Sequence, residues 1–219
     1  MKSVIITGTT SGLGESLSST LFTKNLKLFL LNRQVGVEPP ISKAIVDFIQ
    51  CDLSQLNFDE SIFPLSVFED TSEVVFVMNA ATILPLARVV DLDLAELKKT
   101  FDVNYFSYVA LTQILLKKCE ENNLALRIIF ISTGSIVRAI SGWSTYSASK
   151  GALLSFCKHV ALENDNVEFV AFDPGVFNSK IQKEISLFSL EAIENQPRNN
   201  FTDVAQISNR LSALILLGD

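Results

Sequence analysis

The segment SVIITGTTSGLGESL, residues 3–17, begins as a strongly apolar run and passes without a spacer into glycines at positions 8, 12 and 14. A run apolar at successive positions suits a strand covered on both faces. Glycine directly after such a strand lets the chain turn sharply and lets backbone approach a ligand closely. Hydroxyl residues and glycines then open a helical pattern, expected over Gly12–Asn25. Strand, glycine turn and helix in that order form an anion cradle, because the first amides of a helix have no partner within it. Gly8, Thr10, Ser11, Gly12, Leu13 and Gly14 are the residues placed to line it.

Outward from this segment, short apolar runs recur at Leu28–Leu31, Ala44–Ile49, Val74–Met78, Arg127–Ser132 and Val167–Phe172. Helical patterns separate them at Leu94–Glu121 and Ser144–Glu163, and another follows at Thr202–Leu217. Alternating strands and helices predict an α/β fold, a doubly wound parallel sheet of about six strands with helices on both faces. The stretch 51–72 contains Pro64 and is expected to be a reduced helix or an irregular crossover. A chain of 219 residues needs only one domain, here 1–219, with a short lid over the substrate at about 178–202.

The chain is 48% hydrophobic and 19% charged and carries 16 Phe, so it has ample core material. Its formal charge is -6 and its 18 basic residues are scattered, which argues against nucleic acid as a partner. No apolar run reaches ~18 residues and no leader pattern opens the chain, so a cytoplasmic protein without a membrane span is expected. Cys51, Cys119 and Cys157 are odd in number and widely spaced, with His159 the single histidine. They read as apolar filler, and no metal site is expected.

About 20 residues past the glycine loop, an NAD site places a carboxylate on the ribose 2'-hydroxyl. Here the second strand ends in Asn32 and Arg33. The missing carboxylate would not repel a 2'-phosphate and the guanidinium would attract one, so NADP(H) is the expected cofactor. After the third strand, Asp52 and Leu53 stand where a carboxylate could accept from an adenine amino group.

Tyr146 and Lys150, in YSASK, are four apart in a helical pattern and leave the same face about one turn apart. Reducing a carbonyl leaves an alkoxide that must take a proton, which a phenol can give. A neighbouring ammonium is expected to lower the phenol from its usual value of ~10 by roughly 1 to 3 units.

Together TGTTSGLG, Asn79-Ala80-Ala81, Asn104, YSASK and Asp173-Pro174-Gly175, in this order over residues 7 to about 179, resemble the short-chain dehydrogenase/reductase family. SGW before the tyrosine and FDPGVFNS resemble its sepiapterin and benzil reductase branch. The resemblance implies a Rossmann-like sheet of order 3-2-1-4-5-6, a small-molecule carbonyl substrate and a homodimer or homotetramer. It gives Tyr146 and Lys150 the proton transfer and lets Lys150 also hold the nicotinamide ribose. The family's carbonyl-binding serine, 13 residues before the tyrosine, falls on Thr133, with Ser135 in reserve and Ser132 expected to point away. Asn104 matches the asparagine that holds a relay water. Ala81 replaces the family's usual glycine after Asn79 and Ala80. Pro174, Gly175 and Val176 match the backbone that holds the nicotinamide carboxamide, and Ser179 stands where a threonine is common.

The expected function is therefore NADP(H)-dependent reduction of a ketone, diketone or aldehyde, or the reverse oxidation. A non-catalytic NADP(H)-sensing or partner-binding protein on the same fold would need the glycine loop but not the tyrosine–lysine pair. His159 is expected to be bland, Trp143 to line the pocket or pack beneath its loop, and Phe177, Phe188 and Phe201 to flank the substrate.

Overall fold

The computed structural model describes residues 1–34, 42–178 and 201–217. Six strands, β1 (Lys2–Thr7), β2 (Lys27–Asn32), β3 (Ile45–Gln50), β4 (Glu73–Met78), β5 (Ala125–Ile131) and β6 (Val167–Phe172), form one sheet. Every pairing is parallel and the order is β3-β2-β1-β4-β5-β6. The doubly wound expectation holds, and the sheet order reverses between β1 and β4.

Alternation along the central strands divides the core in two, because successive side chains point to opposite faces. Ile5, Phe76, Met78, Ile128 and Phe130 face one way. They meet Tyr108, Leu111 and Leu115 of α3 (Ser107–Glu121) and Leu153, Cys157 and Val160 of α4 (Ser144–Glu163). Val4, Ile6, Val75, Val77 and Ile129 face the other way, against α1 (Gly12–Leu21) and the last helix, α5 (Val204–Leu216). The three cysteines are buried free thiols, and Cys119 and Cys157 are pushed up to about 12 by burial.

Helix α1 is shorter than its sequence pattern and stops at Leu21, where Phe22–Asn25 turn toward β2. The 51–72 crossover is irregular, with 3-10 turns at Glu60–Ile62 and Leu65–Val67, the second capped by Pro64. The long helical pattern 94–121 is continuous but not uniform. After α2 (Leu94–Phe101), whose cap Asp93 accepts from the amides of Ala95 and Glu96, the backbone widens into a π turn at Asp102–Phe106. Such an inserted residue is common at functional sites, and Asn104 lies inside this one.

At the opposite end of the sheet, charges tie α5 down. Lys2 and Arg127 both pair with Glu73, at 3.2 and 3.0 Å, and Arg127 also pairs with Glu168 at 2.7 Å. The Lys2 ammonium donates to the carbonyls of Ile215 and Leu217, and Arg127 to those of Leu214 and Leu217. Cations at a helix C-terminus complement its dipole. Nothing in the hydrophobic periodicity marks this clamp. Among the described residues, no helix is long and apolar enough to cross a membrane.

Candidate active site

A cleft of about 1350 Å³ opens at the C-terminal ends of the strands, where open α/β sheets bind ligands beside the switch in strand order. Gly8, Thr10, Ser11, Gly12 and Leu13 line it, as do Asn32, Arg33, Asp52 and Leu53, Asn79–Ala81, Thr133, Tyr146, Lys150 and Pro174–Val176. Gly14 lies just beneath the loop, and Asn104 and Ser149 lie behind the lining. Ser179 and Phe188 fall outside the described residues, as do residues 179–200 of the expected lid.

The loop's shape rests on two left-handed glycines, Gly8 at φ +70° and Gly12 at φ +61°. A side chain on Gly14 would put its Cβ 2.1 Å from the Gly8 carbonyl oxygen and 2.7 Å from Asn79 Nδ2. Polar side chains then brace the loop. Asn32, buried at the end of β2, accepts from the Thr9 amide at 2.7 Å and donates to the Thr9 hydroxyl at 2.8 Å. Its carboxamide thus shapes the loop from below. Asn79 donates to the carbonyls of Thr7 and Gly8 at 2.8 and 3.0 Å. Arg33 is exposed at the rim, close enough to Asp52 to help the Ser54 hydrogen bonds hold that carboxyl below its usual range.

Sequence reasoning missed Thr7 and Tyr108. The Thr7 hydroxyl accepts from the amides of Asn79 and Ala80 and lies 2.8 Å from the Tyr108 hydroxyl, which donates to the Ala80 carbonyl at 2.6 Å. This closed network pins the end of β4 to the end of β1, and burial pushes the Tyr108 phenol well up. Spacing offered one signal, since Tyr108 lies one helical turn after Asn104.

On the far wall, Tyr146 is in the first turn of α4. It packs on Ile83 and Leu86, with Trp143 edge-on at 5.9 Å between ring centroids. Trp143 therefore both lines the cleft and packs beneath the tyrosine. Ala81 joins the same cluster, so its methyl has neighbours to fill against. The Thr133 hydroxyl lies near enough to the Tyr146 phenol to act on its acidity. Thr133 also caps the turn Gly134–Ile136, accepting from the Ser135 amide at 3.3 Å with the Ser135 hydroxyl equally near. Ser132 gives its amide to the Phe172 carbonyl, extending the β5–β6 ladder.

Asn104 is fully buried. Its Oδ1 accepts from the Thr82 amide at 2.9 Å, and its Nδ2 donates to the Thr82 carbonyl at 2.8 Å and to the Ser149 hydroxyl at 3.0 Å. Ser149 in turn donates to the Tyr146 carbonyl at 2.8 Å. The π turn, the strand β4 exit and the start of α4 are thus joined through one amide.

Lys150 is 2% exposed, with its ammonium 4.4 Å from the centre of the Phe130 ring. Burial brings it down to about 7 and pushes Tyr146 up to about 12, against a smaller lowering by the nearby Thr133 hydroxyl. The phenol is raised where a lowering by the ammonium was expected, because its burial dominates. A lysine depressed in the folded state binds fewer protons than in the unfolded chain. Stability therefore falls as pH drops from ~10 to 7 and levels off below. Lys150→Met should raise the melting temperature of the ligand-free protein by roughly 5–10 °C at pH 7. Scanning calorimetry at pH 7 and pH 10 checks it: a gain that does not shrink at the higher pH would remove this cause.

Elsewhere, His159 is exposed on α4, a ring nitrogen 2.8 Å from the Ser155 carbonyl. Phe177 lines the cleft, while Phe201 is exposed. Gly175, at φ +70°, donates its amide to the Asp173 carboxylate at 2.9 Å.

A glycine-looped parallel sheet with a tyrosine, a buried lysine and a hydroxyl gathered at its switch point defines a nucleotide-binding α/β protein of the dehydrogenase type. The model of the short chain dehydrogenase family matches residues 2–189, and the chain belongs to that family. A benzil reductase ((S)-benzoin forming) of Bacillus cereus is 28% identical over 214 residues, covering 90% of this chain and 84% of the relative. Among solved structures, 4-hydroxyisoleucine dehydrogenase complexed with NADH matches with a TM-score of 0.81 at 22% identity, covering 98% of this chain and 91% of that one. ElxO with NADP bound matches with a TM-score of 0.80 at 18% identity, covering 100% and 92%.

Proposed function

We propose that the protein is an NADP(H)-dependent reductase of small carbonyl compounds. The observation that carries this reading is the Tyr146 phenol, near the Thr133 hydroxyl and one helical turn from buried Lys150, at the wall of a cleft floored by the glycine loop. The glycine loop fits a pyrophosphate, since only glycine tolerates the approach at Gly14 and the α1 amides above it have no side-chain cap. When bound, a reduced nicotinamide supplies the hydride chemistry.

The chain's own residues supply position and protons. Thr133 and Tyr146 offer two hydroxyls to a carbonyl oxygen, Thr133 by donation and Tyr146 by giving up its proton. Tyr146 is protonated at neutral pH, as a phenol with an ordinary value of ~10 already is, and so can act as the proton donor in reduction. Lys150 meets the charge left on the phenolate, and Asn104 holds the helix turn behind it. Relatives that act on benzil support a ketone or diketone as the substrate class.

The NADP(H) preference rests on the end of β2. Asn32 spends its amide on Thr9, and Arg33 is the charged group at the rim. The relevant test follows NADPH and NADH oxidation with benzil and other diketones, aldehydes, pterins and quinones. Reduction with NADPH should exceed that with NADH by at least about tenfold in kcat/KM, the size of one charge-assisted contact, and Arg33→Gln should shrink that margin. Equal use of the two cofactors would overturn the preference; cofactor binding with no turnover across the panel would overturn the enzyme reading.

A further inference from the structure

Among the described residues, the cleft wall carries one cation that neither proton transfer nor a partner uses, while the Asp173 carboxylate near Tyr146 accepts from the Gly175 amide. Glu96 and Lys99 line it and satisfy each other at 2.6 Å. Arg33 lies at the other end beside Asp52, and Lys150 is buried. Arg138 also lines the cleft and is exposed, and among the described residues it has no ion pair and no side-chain hydrogen bond. Its backbone is nevertheless held in place. The amides of Val137 and Arg138 both donate to the Gly134 carbonyl, at 3.2 and 3.0 Å, in the compact turn that Thr133 caps. The backbone of Arg138 is therefore fixed in the turn that begins at Thr133, five residues before it.

A guanidinium offers five donors, accepts nothing and stays charged, and its planar fork matches a carboxylate. In a chain of net charge -6, an unpaired cation in the wall of the same cleft gives a neutral substrate nothing to gain from it. It gives a carboxylate two parallel charge-assisted hydrogen bonds. The lining around it is apolar, with Val137, Ile140, Trp143 and Leu84, which suits a hydrocarbon body between the two polar ends. We propose that Arg138 selects carbonyl substrates bearing a carboxylate across an apolar body from the reacting carbonyl. This rests on the carbonyl reductase reading.

The test pairs 4-formylbenzoate with its methyl ester, two aldehydes alike except for the charge. With NADPH, the wild-type kcat/KM should favour the carboxylate by about tenfold. Arg138→Gln should bring that ratio near one, and Arg138→Glu should invert it. A wild-type ratio of one or less, or a ratio unchanged in Arg138→Gln, overturns the proposal. Calorimetric titration of benzoate onto the NADPH-loaded wild type and Arg138→Gln separates this site from the chemistry. Benzoate binding that depends on Arg138, with neither aldehyde reduced, upholds the carboxylate site and counts against the reductase reading. Binding that is absent, or equal in both proteins, with neither aldehyde reduced, overturns both.

Discussion

Tyr146→Phe is expected to lower the kcat for carbonyl reduction by about a thousandfold or more, within the range that a positioned proton donor supplies. NADPH affinity should change by less than about threefold. The substitution removes one oxygen and little else: the ring keeps its seat on Ile83 and Leu86 and its edge contact with Trp143. The group lost is a phenol, whose ordinary value of ~10 makes it a stronger acid than the aliphatic hydroxyls around it, so no other hydroxyl nearby is as ready to give a proton to the developing alkoxide. Thr133 is the nearest substitute, but it already caps the turn at Gly134 and accepts from the Ser135 amide. Thr133→Val should cost a smaller factor, on the order of a hundredfold, as the loss of one donor to a developing oxyanion does. Single-turnover kinetics with saturating NADPH, alongside fluorescence titration of the cofactor, separates the two effects. Turnover in Tyr146→Phe within tenfold of wild type would remove the tyrosine from the chemistry.

Much of this site was legible in the sequence because its parts are local. The glycine loop follows its strand within the same segment, and Tyr146 and Lys150 share one helix face, so spacing alone relates them. The sheet was legible for a similar reason: Val4 to Ile6 and Val74 to Met78 are apolar at every position, as doubly covered strands must be. The bracing contacts were not legible, because they join residues far apart in the chain. Nothing at Thr7 announces that it will meet Tyr108, 101 positions away, and nothing at Asn104 announces the backbone of Thr82 and the hydroxyl of Ser149. The π turn was hidden for another reason: one inserted residue shifts the helical register only slightly, so the apolar pattern of 94–121 reads as an ordinary helix. The shifts of Tyr146 and Lys150 were not legible because spacing reports distance and says nothing of desolvation. Lys150 is 2% and Tyr146 7% exposed, and each group's own burial, invisible in YSASK, sets the sign of its shift.

The second large effect is expected at Gly14. Gly14→Ala should weaken NADPH binding by more than a hundredfold and lower the melting temperature, whereas Gly12→Ala should do far less. The added methyl at Gly14 would lie 2.1 Å from the Gly8 carbonyl oxygen, 3.0 Å from the Gly8 carbonyl carbon and 2.7 Å from Asn79 Nδ2. Two of those atoms are backbone and cannot swing aside, and the third is already bonded to the carbonyls of Thr7 and Gly8. Either α1 must lift away from β1 or Gly8 must turn its carbonyl, and both would break the cradle. At Gly12 a methyl meets nothing within 4 Å, so its penalty is conformational, from φ +61°, about 1–2 kcal/mol for a side chain in the left-handed region. Gly8→Ala should fall between them, combining φ +70° with an approach of 2.8 Å to the Ala80 methyl. Cofactor titration and thermal melts across the three variants give the order Gly14, Gly8, Gly12 from worst to mildest. Wild-type affinity in Gly14→Ala would mean that the loop does not hold the pyrophosphate in this conformation, and the cofactor assignment would have to move with it.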